Sequence, residues 1–267
     1  MHSRFRDRLV WITGASSGIG EALAHAFAAE GARLVLSARR AEALAQVQAA
    51  CGPSAADVHV VPFDVTVPAE VEAAADHVLD RIGPVDVLVN NAGVTQRSLA
   101  RDTDMAVYRR LMEVNFFSAV GLTRRVLPGM LERRSGHLVV TSSVTGKYGA
   151  PLRTGYCAAK HAVQGYFEAL RTEVAKEGVA VTIVVAGPIR TPISLHALTG
   201  DGAEHGRMDP LQAGGIPADQ AAREIVDGVH HRREEIVVGQ GLPVLALSLR
   251  RFAPRLFYRL IARARPT

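Results

Sequence analysis

Short apolar runs alternate along the chain with longer stretches of helical pattern. The runs cover residues 9–12, 33–37, 58–63, 85–89, 137–141 and 179–186, and a last one, 235–238, precedes Gly239-Gln240-Gly241. Each has the length of a strand, and most are continuously apolar rather than alternating. That is the pattern of strands covered on both faces. Alanine-rich helical stretches lie between them, at 21–30, 41–50 and 69–82. Strand, helix and strand repeated in this way predict an α/β protein with a parallel sheet and helices on both faces. No repeat or low-complexity linker divides the chain. The Gly-rich segment 199–217 reads as a long loop or small lid.

Composition narrows the class. A chain of 267 residues, 48% hydrophobic and 21% charged, can bury a full core as one domain. Its two cysteines, Cys51 and Cys157, form no CxxC pattern. A reducing, cytoplasmic setting is therefore expected. The ten histidines show no HExxH pattern, so no metal site is expected. The first apolar run is too short for a signal peptide, and no run reaches the length of a membrane-spanning helix. The net charge of +5 is uneven. Residues 250–267 hold Arg250, Arg251, Arg255, Arg259, Arg263 and Arg265 with no acid, so the rest of the chain is close to neutral. That distribution is a property of the tail and not a nucleic-acid footprint.

The first chemical signal follows the first run. Thr13-Gly14-Ala15-Ser16-Ser17-Gly18-Ile19-Gly20 joins a strand to a helix. Backbone N–H groups and a helix N-terminus there would face a phosphate, and Gly14, Gly18 and Gly20 would let the backbone come close. The second strand ends in Ser37-Ala38-Arg39-Arg40, with no acid. An acid at this point suits the ribose of NAD, and a basic residue suits the extra phosphate of NADP. Arg39, then Arg40, are the candidates, against a reading as solvated arginines at a helix start. Asp64 could bond an adenine edge, or it or Thr66 could cap the next helix.

The second signal is Tyr156-Cys157-Ala158-Ala159-Lys160. Lysine is scarce, with only Lys147, Lys160 and Lys176 in the chain. A tyrosine and a lysine four apart lie on one helix face. A nearby ammonium favours the phenolate and brings the phenol towards a useful range for proton exchange.

These motifs, with Asn90-Asn91-Ala92-Gly93, Asn115 and Ser143, stand in the order and spacing of the short-chain dehydrogenase/reductase family, which this chain resembles over about residues 7–240. Its C-terminal portion resembles the member-7 branch of that family, its type B in particular, which is linked with reduction of lipophilic carbonyl compounds including acyl-dihydroxyacetone phosphate. The animal relatives of the branch carry an N-terminal membrane anchor, which is not expected here. The resemblance implies a single-domain Rossmann-type doubly wound sheet over 1–244, with a substrate loop at about 193–217. Tyr156 would be the acid–base, Ser143 the partner of the substrate oxygen, Lys160 a ligand of the nicotinamide ribose, and Asn115 the holder of a water leading from Lys160. Ser143 and Tyr156 would contact the substrate. Ser16, Ser17, Ile19, Val65, Asn91, Ala92, Gly93 and Gly187 would join the residues above at the cofactor. Ile189 and Thr191 would bond the carboxamide, although Ala186-Gly187-Pro188 replaces the usual Pro-Gly. Ser142, Tyr148, Cys157 and His161 read as packing or surface residues.

The expected activity is hydride transfer between NADP(H), with NAD(H) as the second choice, and a carbonyl or secondary alcohol. The alternatives are a low-turnover dinucleotide-binding regulator and a membrane-surface scaffold. A homodimer or homotetramer is expected. Residues 245–267 form a basic tail in which Leu249, Phe252, Leu256 and Leu260 recur at helical spacing, with the firm helix at 255–264. Such a tail would either lie on an anionic membrane as a peripheral contact or pack on the protein.

Overall fold

The computed structural model describes residues 3–52 and 57–263. The first half alternates β1 (Leu9–Thr13), α1 (Gly18–Ala29), β2 (Arg33–Ser37), α2 (Ala41–Cys51), β3 (Asp57–Val60), α3 (Pro68–His77) and β4 (Val87–Asn90). Then come α4 (Met105–Met112), α5 (Ser118–Glu132), β5 (Gly136–Ser143), α6 (Thr154–Val174) and β6 (Val179–Ala186). A lid follows, built from β7 (Ile189–Arg190), α7 (Pro210–Ala213) and β8 (Ile216–Pro217), and the chain returns through α8 (Ala218–His230) to β9 (Glu235–Val238). It ends in α9 (Leu242–Phe252) and α10 (Pro254–Ile261).

Seven strands form one parallel sheet in the order β3-β2-β1-β4-β5-β6-β9. Two apolar clusters cover its faces, one including Phe27, Leu34 and Ile225, the other Trp11, Leu88 and Phe167. The strand order reverses between β1 and β4, and the crevice above their C-terminal ends is where such sheets bind ligands. The predicted strand 58–63 is shorter than expected. Val61 and Phe63 still donate to the β2 side, but Pro62 between them has no N–H to continue the ladder. Two π-helical turns, Val78–Ile82 and Glu113–Phe117, were not anticipated. The second joins α4 to α5 and carries Asn115.

The lid is more ordered than a Gly-rich loop suggests. Leu198 donates from its backbone to Thr95 and accepts from Arg97, which ties the lid to the loop after β4.

The tail packs on the body with a different face from the one read off the sequence. Phe252, Leu256 and Leu260 are exposed, whereas Phe257 is buried against the Tyr148 ring at 5.3 Å. Leu249 does pack, with Val244, Leu247 and Ile261 beside it. The cause is local. Pro254 cannot continue α9, so the chain turns at Ala253 (φ −137°, ψ 61°) and α10 starts on a new axis. One helical wheel drawn through 249–260 therefore mixes two helices. Of the expected helix 255–264, Ala264 lies outside the described residues, as does Arg265.

Candidate active site

Thr13 holds the first two motifs together. Its hydroxyl accepts from the backbone of Asn91 and Ala92 at 3.0 and 3.1 Å. The Asn91 amide donates back to the carbonyls of Thr13 and Gly14. Gly14 and Gly18 have φ of +66° and +61°, where a side chain is strained. A Cβ on Gly20 would lie 2.1 Å from the Gly14 carbonyl, so this glycine lets the turn close. The turn leaves the N-terminus of α1 facing a cavity of about 1710 Å³.

That cavity runs from the cradle, past the end of β2, to the tail helices. Every candidate site residue named from the sequence lines it except Gly20, which lies buried behind the cradle. Arg39 and Arg40 are exposed at its rim. Ser37 is buried, and its hydroxyl accepts from the Trp11 indole at 2.9 Å. Asp64 caps no helix. Its carboxylate closes a turn onto the Thr66 amide and hydroxyl at 2.9 and 2.8 Å, and the N-cap of α3 is Val67. Thr191 accepts from Gln212 at 3.2 Å, so the lid is in contact with this residue. Gly187 donates to the Val238 carbonyl at 2.7 Å, and a Cβ there would press Val244 at 2.9 Å, so Gly187 allows the tail to approach. An open helix N-terminus, a glycine-lined backbone and two rim arginines fit a dinucleotide carrying phosphates.

The remaining candidates meet at the C-terminal ends of β4 and β5. Ser143 ends β5, and its hydroxyl accepts from Thr145. Tyr156 is partly buried on α6. Burial raises its phenol above the usual value, while the Ser143 hydroxyl pulls the other way. Lys160, one turn on, is buried and donates to the Thr141 carbonyl at 2.7 Å, with its ammonium 5.8 Å from the Tyr156 ring centre. Burial lowers Lys160 to about 8, so it remains charged at neutral pH.

Asn115 shows why a π turn stands in the middle of a helix. Its amide donates to the Val94 and Leu111 carbonyls, both at 2.9 Å, while its buried Oδ1 has no protein partner. A Cβ on Gly93 would lie 2.8 Å from that oxygen and 3.6 Å from the Lys160 ammonium. The space beside Gly93 is therefore bordered by an acceptor and a cation, which suits a bridging water. π turns of this kind concentrate at functional sites.

Three features of the cavity escaped the sequence reading. Tyr148 lines it, donating to the Pro243 carbonyl at 2.9 Å; burial pushes its phenol up to about 12, so it stays protonated. The tail contributes an apolar wall that includes Leu245, Leu249 and Phe257. Finally, Asp209 on the lid pairs with Arg97 and Arg153 at 2.8 and 2.6 Å, all three largely buried. No spacing signal announces pairs so far apart in sequence. The described residues hold no group of side chains able to bind a metal, and none of their helices is long and apolar enough to cross a membrane.

A sequence profile of the short chain dehydrogenase family matches residues 8–199. The chain is 42% identical over 268 aligned residues to the bovine (Bos taurus) protein named dehydrogenase/reductase SDR family member 7B, covering 98% of this chain and 82% of that one. Among solved structures, it is similar to a short chain dehydrogenase/reductase from Burkholderia phymatum in complex with NAD. The TM-score is 0.82 and the identity 26%, over 99% of this chain and 98% of that one. It is also similar to an alcohol dehydrogenase from the archaeon Thermococcus sibiricus complexed with 5-hydroxy-NADP, with a TM-score of 0.75 and 25% identity over 88% and 97% of the two chains.

Burying the Lys160 ammonium costs stability. Between about pH 8 and 10.5 the folded chain holds fewer protons here than the unfolded one, so this contribution to stability rises with pH; below 8 the cost is present in full. Lys160→Met removes the charge and leaves the Thr141 carbonyl unpaired. We expect the empty protein to gain about 1–2 kcal/mol at pH 7. The gain should shrink towards pH 10 in urea unfolding curves, and the variant should have lost its turnover.

Proposed function

The chain belongs to the short-chain dehydrogenase/reductase family, a family of oxidoreductases that use a nicotinamide dinucleotide, and on that premise we propose that it is an NADP(H)-dependent reductase of lipophilic carbonyl compounds. The observation that carries the reading is the Tyr156 phenol beside the buried Lys160 ammonium, in the same cavity as the open N-terminus of α1. The cofactor, when bound, supplies or accepts the hydride.

The chain does the rest. The α1 N-terminus and the Gly14–Gly18 turn hold the phosphates. Ser143 hydrogen-bonds the substrate oxygen and stabilises the charge that develops there. Tyr156, neutral in the empty site, donates its proton to that oxygen in the reducing direction and takes it back in the oxidising one. Lys160 favours the phenolate that forms, and Asn115 with Lys160 leads the replacement proton through a water. Tyr148 and the tail wall exclude solvent and give a long apolar substrate a surface to lie on.

The preference for NADP(H) rests on Arg39 and Arg40 at the rim and on the absence of an acid at the end of β2. A membrane-surface reading has its own support. Leu242, Leu245 and Leu260 line the cavity mouth and are also exposed, and Leu256 and Phe252 extend the patch. Arginines 250, 251, 255, 259 and 263 belong to the same tail, with no acid from 242 to 263. An apolar mouth on a tail rich in arginine suits an anionic lipid surface that delivers a lipophilic substrate.

NADPH oxidation is followed across a panel of ketones and aldehydes of rising chain length, acyl-dihydroxyacetone phosphate among them. Turnover should rise with apolar chain length, and Tyr156→Phe should keep cofactor binding while losing roughly 10²–10⁴-fold in rate. A variant as active as the wild type would remove Tyr156 from the chemistry. Arg39→Ala should weaken NADPH by roughly 10–100-fold and NADH hardly at all, since charge-assisted bonds to phosphate contribute ~1.5–3 kcal/mol. Equal affinity of the wild type for both cofactors would contradict the preference. The protein should sediment with anionic vesicles at low salt and be released as salt rises. Indifference to vesicles at every salt concentration would leave the tail as a cavity wall alone.

A further inference from the structure

The cluster of Asp209, Arg97 and Arg153 joins three parts of the protein. Asp209 stands on the lid, just before α7. Arg97 lies on the loop after β4, and Arg153 is the N-cap residue of α6, three positions before Tyr156. One carboxylate oxygen of Asp209 accepts from both guanidinium groups, at 2.8 and 2.6 Å. The other accepts from the Leu211 amide at 2.9 Å, and the Asp209 amide donates to Ser194 at 3.1 Å. The side chains of Asp209, Arg97 and Arg153 are only 4%, 5% and 14% exposed. Arg97 also donates to the Gln96 carbonyl at 2.7 Å, and Arg153 to the Pro151 carbonyl at 3.2 Å.

Two cations held by one anion leave a net positive charge in a buried place, a cost that the single carboxylate offsets only in part. Burial lowers Arg97, and Arg153 lowers it further, against the pull of Asp209. Asp209 ends below the usual carboxylate range. Burial alone would raise it, but the Leu211 amide and the two arginines outweigh that. The arginines and the carboxylate line the same cavity as Tyr156. Lys160, on α6, stands 5.8 Å from the Tyr156 ring centre; Arg97 and Arg153 line the same cavity and their charges pull the phenol down, while Cys157, next to it on α6, pushes it up. Arg110, His196 and Glu204 also line the cavity, the last two as a surface pair at 3.2 Å.

We propose that Asp209 is a positioning residue for the proton transfer: its buried carboxylate latches the lid and, in the same contact, keeps Arg97 and Arg153 seated beside Tyr156. Without the carboxylate the two guanidinium groups repel each other and move towards water, and the lid loses its anchor. Closing the lid over a substrate and completing the positive field around the phenol are then one event. The inference rests on the reading of Tyr156 as the acid–base.

The sign of a pH shift separates this account from simple charge removal. For alcohol oxidation, kcat/KM rises with pH as the phenol ionises. If the arginines stayed in place, Asp209→Asn would make the site more positive and move this limb to lower pH. If Asp209 seats the arginines, the limb moves up, by roughly 0.5–1 pH unit, because two cations leave the phenol. Arg97→Met should also move it up, and the double variant should add little, since Asp209 acts through Arg97. Trypsin should cut at the exposed Arg207 on the lid roughly 10-fold faster in Asp209→Asn.

Cofactor binding reports folding of each variant. Should Asp209→Asn fail to fold, Arg153→Gln keeps the buried Arg97–Asp209 pair. It should then leave the lid protected, whereas Arg97→Met, which removes the lid's partner on the loop after β4, should speed the cut at Arg207; equal protection in both overturns the latch. A limb that moves down or stays put in these variants, with Tyr156→Phe inactive, overturns the latch alone. Full activity in Tyr156→Phe overturns both the latch and the acid–base reading.

Discussion

One buried ammonium group, paired with no carboxylate among the described residues, organises this site. Lys160 sits on the inner face of α6 with a single protein acceptor, the Thr141 carbonyl at 2.7 Å. A cation in that position is unfavourable for folding, and its pKa near 8 expresses the strain. The neighbouring features answer to it. Gly93 has no side chain, so the space between the ammonium and Asn115 stays open. Asn115 is turned inward by a π-helical step and presents an acceptor with no other partner. Tyr156, one helical turn away, is the group whose ionisation such a cation favours. The cost in stability falls where the proposed proton transfer would take place, as strain stored at functional sites does.

The parts legible in the sequence are those governed by short-range rules. β6 fills the run that predicts it because a strand covered on both faces must be apolar nearly throughout, whereas β9, at the sheet edge, alternates exposed and buried positions. The Gly14–Gly20 turn and the Tyr156–Lys160 pair depend on conformations and spacings set within a few residues. The rest depends on geometry that no local pattern carries. Arg97 and Asp209 are 112 residues apart and meet only because the lid folds back onto the loop after β4. The π turn at Asn115 leaves no mark in a helical periodicity. Pro254 was visible, but the direction in which α10 would leave it was not, and so Phe257, rather than Leu256 or Leu260, became the buried anchor.

Part of the cavity is built by elements that the sheet itself does not include. The cofactor half of the cavity is built from strand ends and a helix N-terminus, which the core holds rigidly. The other half is built from the lid and the two tail helices. The lid is held by a buried ionic contact and the tail by Phe257 and Tyr148. Family members can keep one chemistry and change substrate by altering these additions, which is how sites differ on a shared fold. In this chain the additions bring an apolar wall and exposed leucines, Leu242, Leu245 and Leu260, to the cavity.

The central claim is that Tyr156 stays protonated in the empty site and is brought within reach of ionisation by the positive charge of the oxidised cofactor acting with Lys160. It is tested most directly by titrating the phenol itself, as the ultraviolet difference between the wild type and Tyr156→Phe, without and with oxidised cofactor. The account predicts that Tyr156 titrates above the usual tyrosine value in the empty protein and falls by more than about one pH unit when the cofactor is bound. A phenol that titrates at the same pH in both states would contradict it.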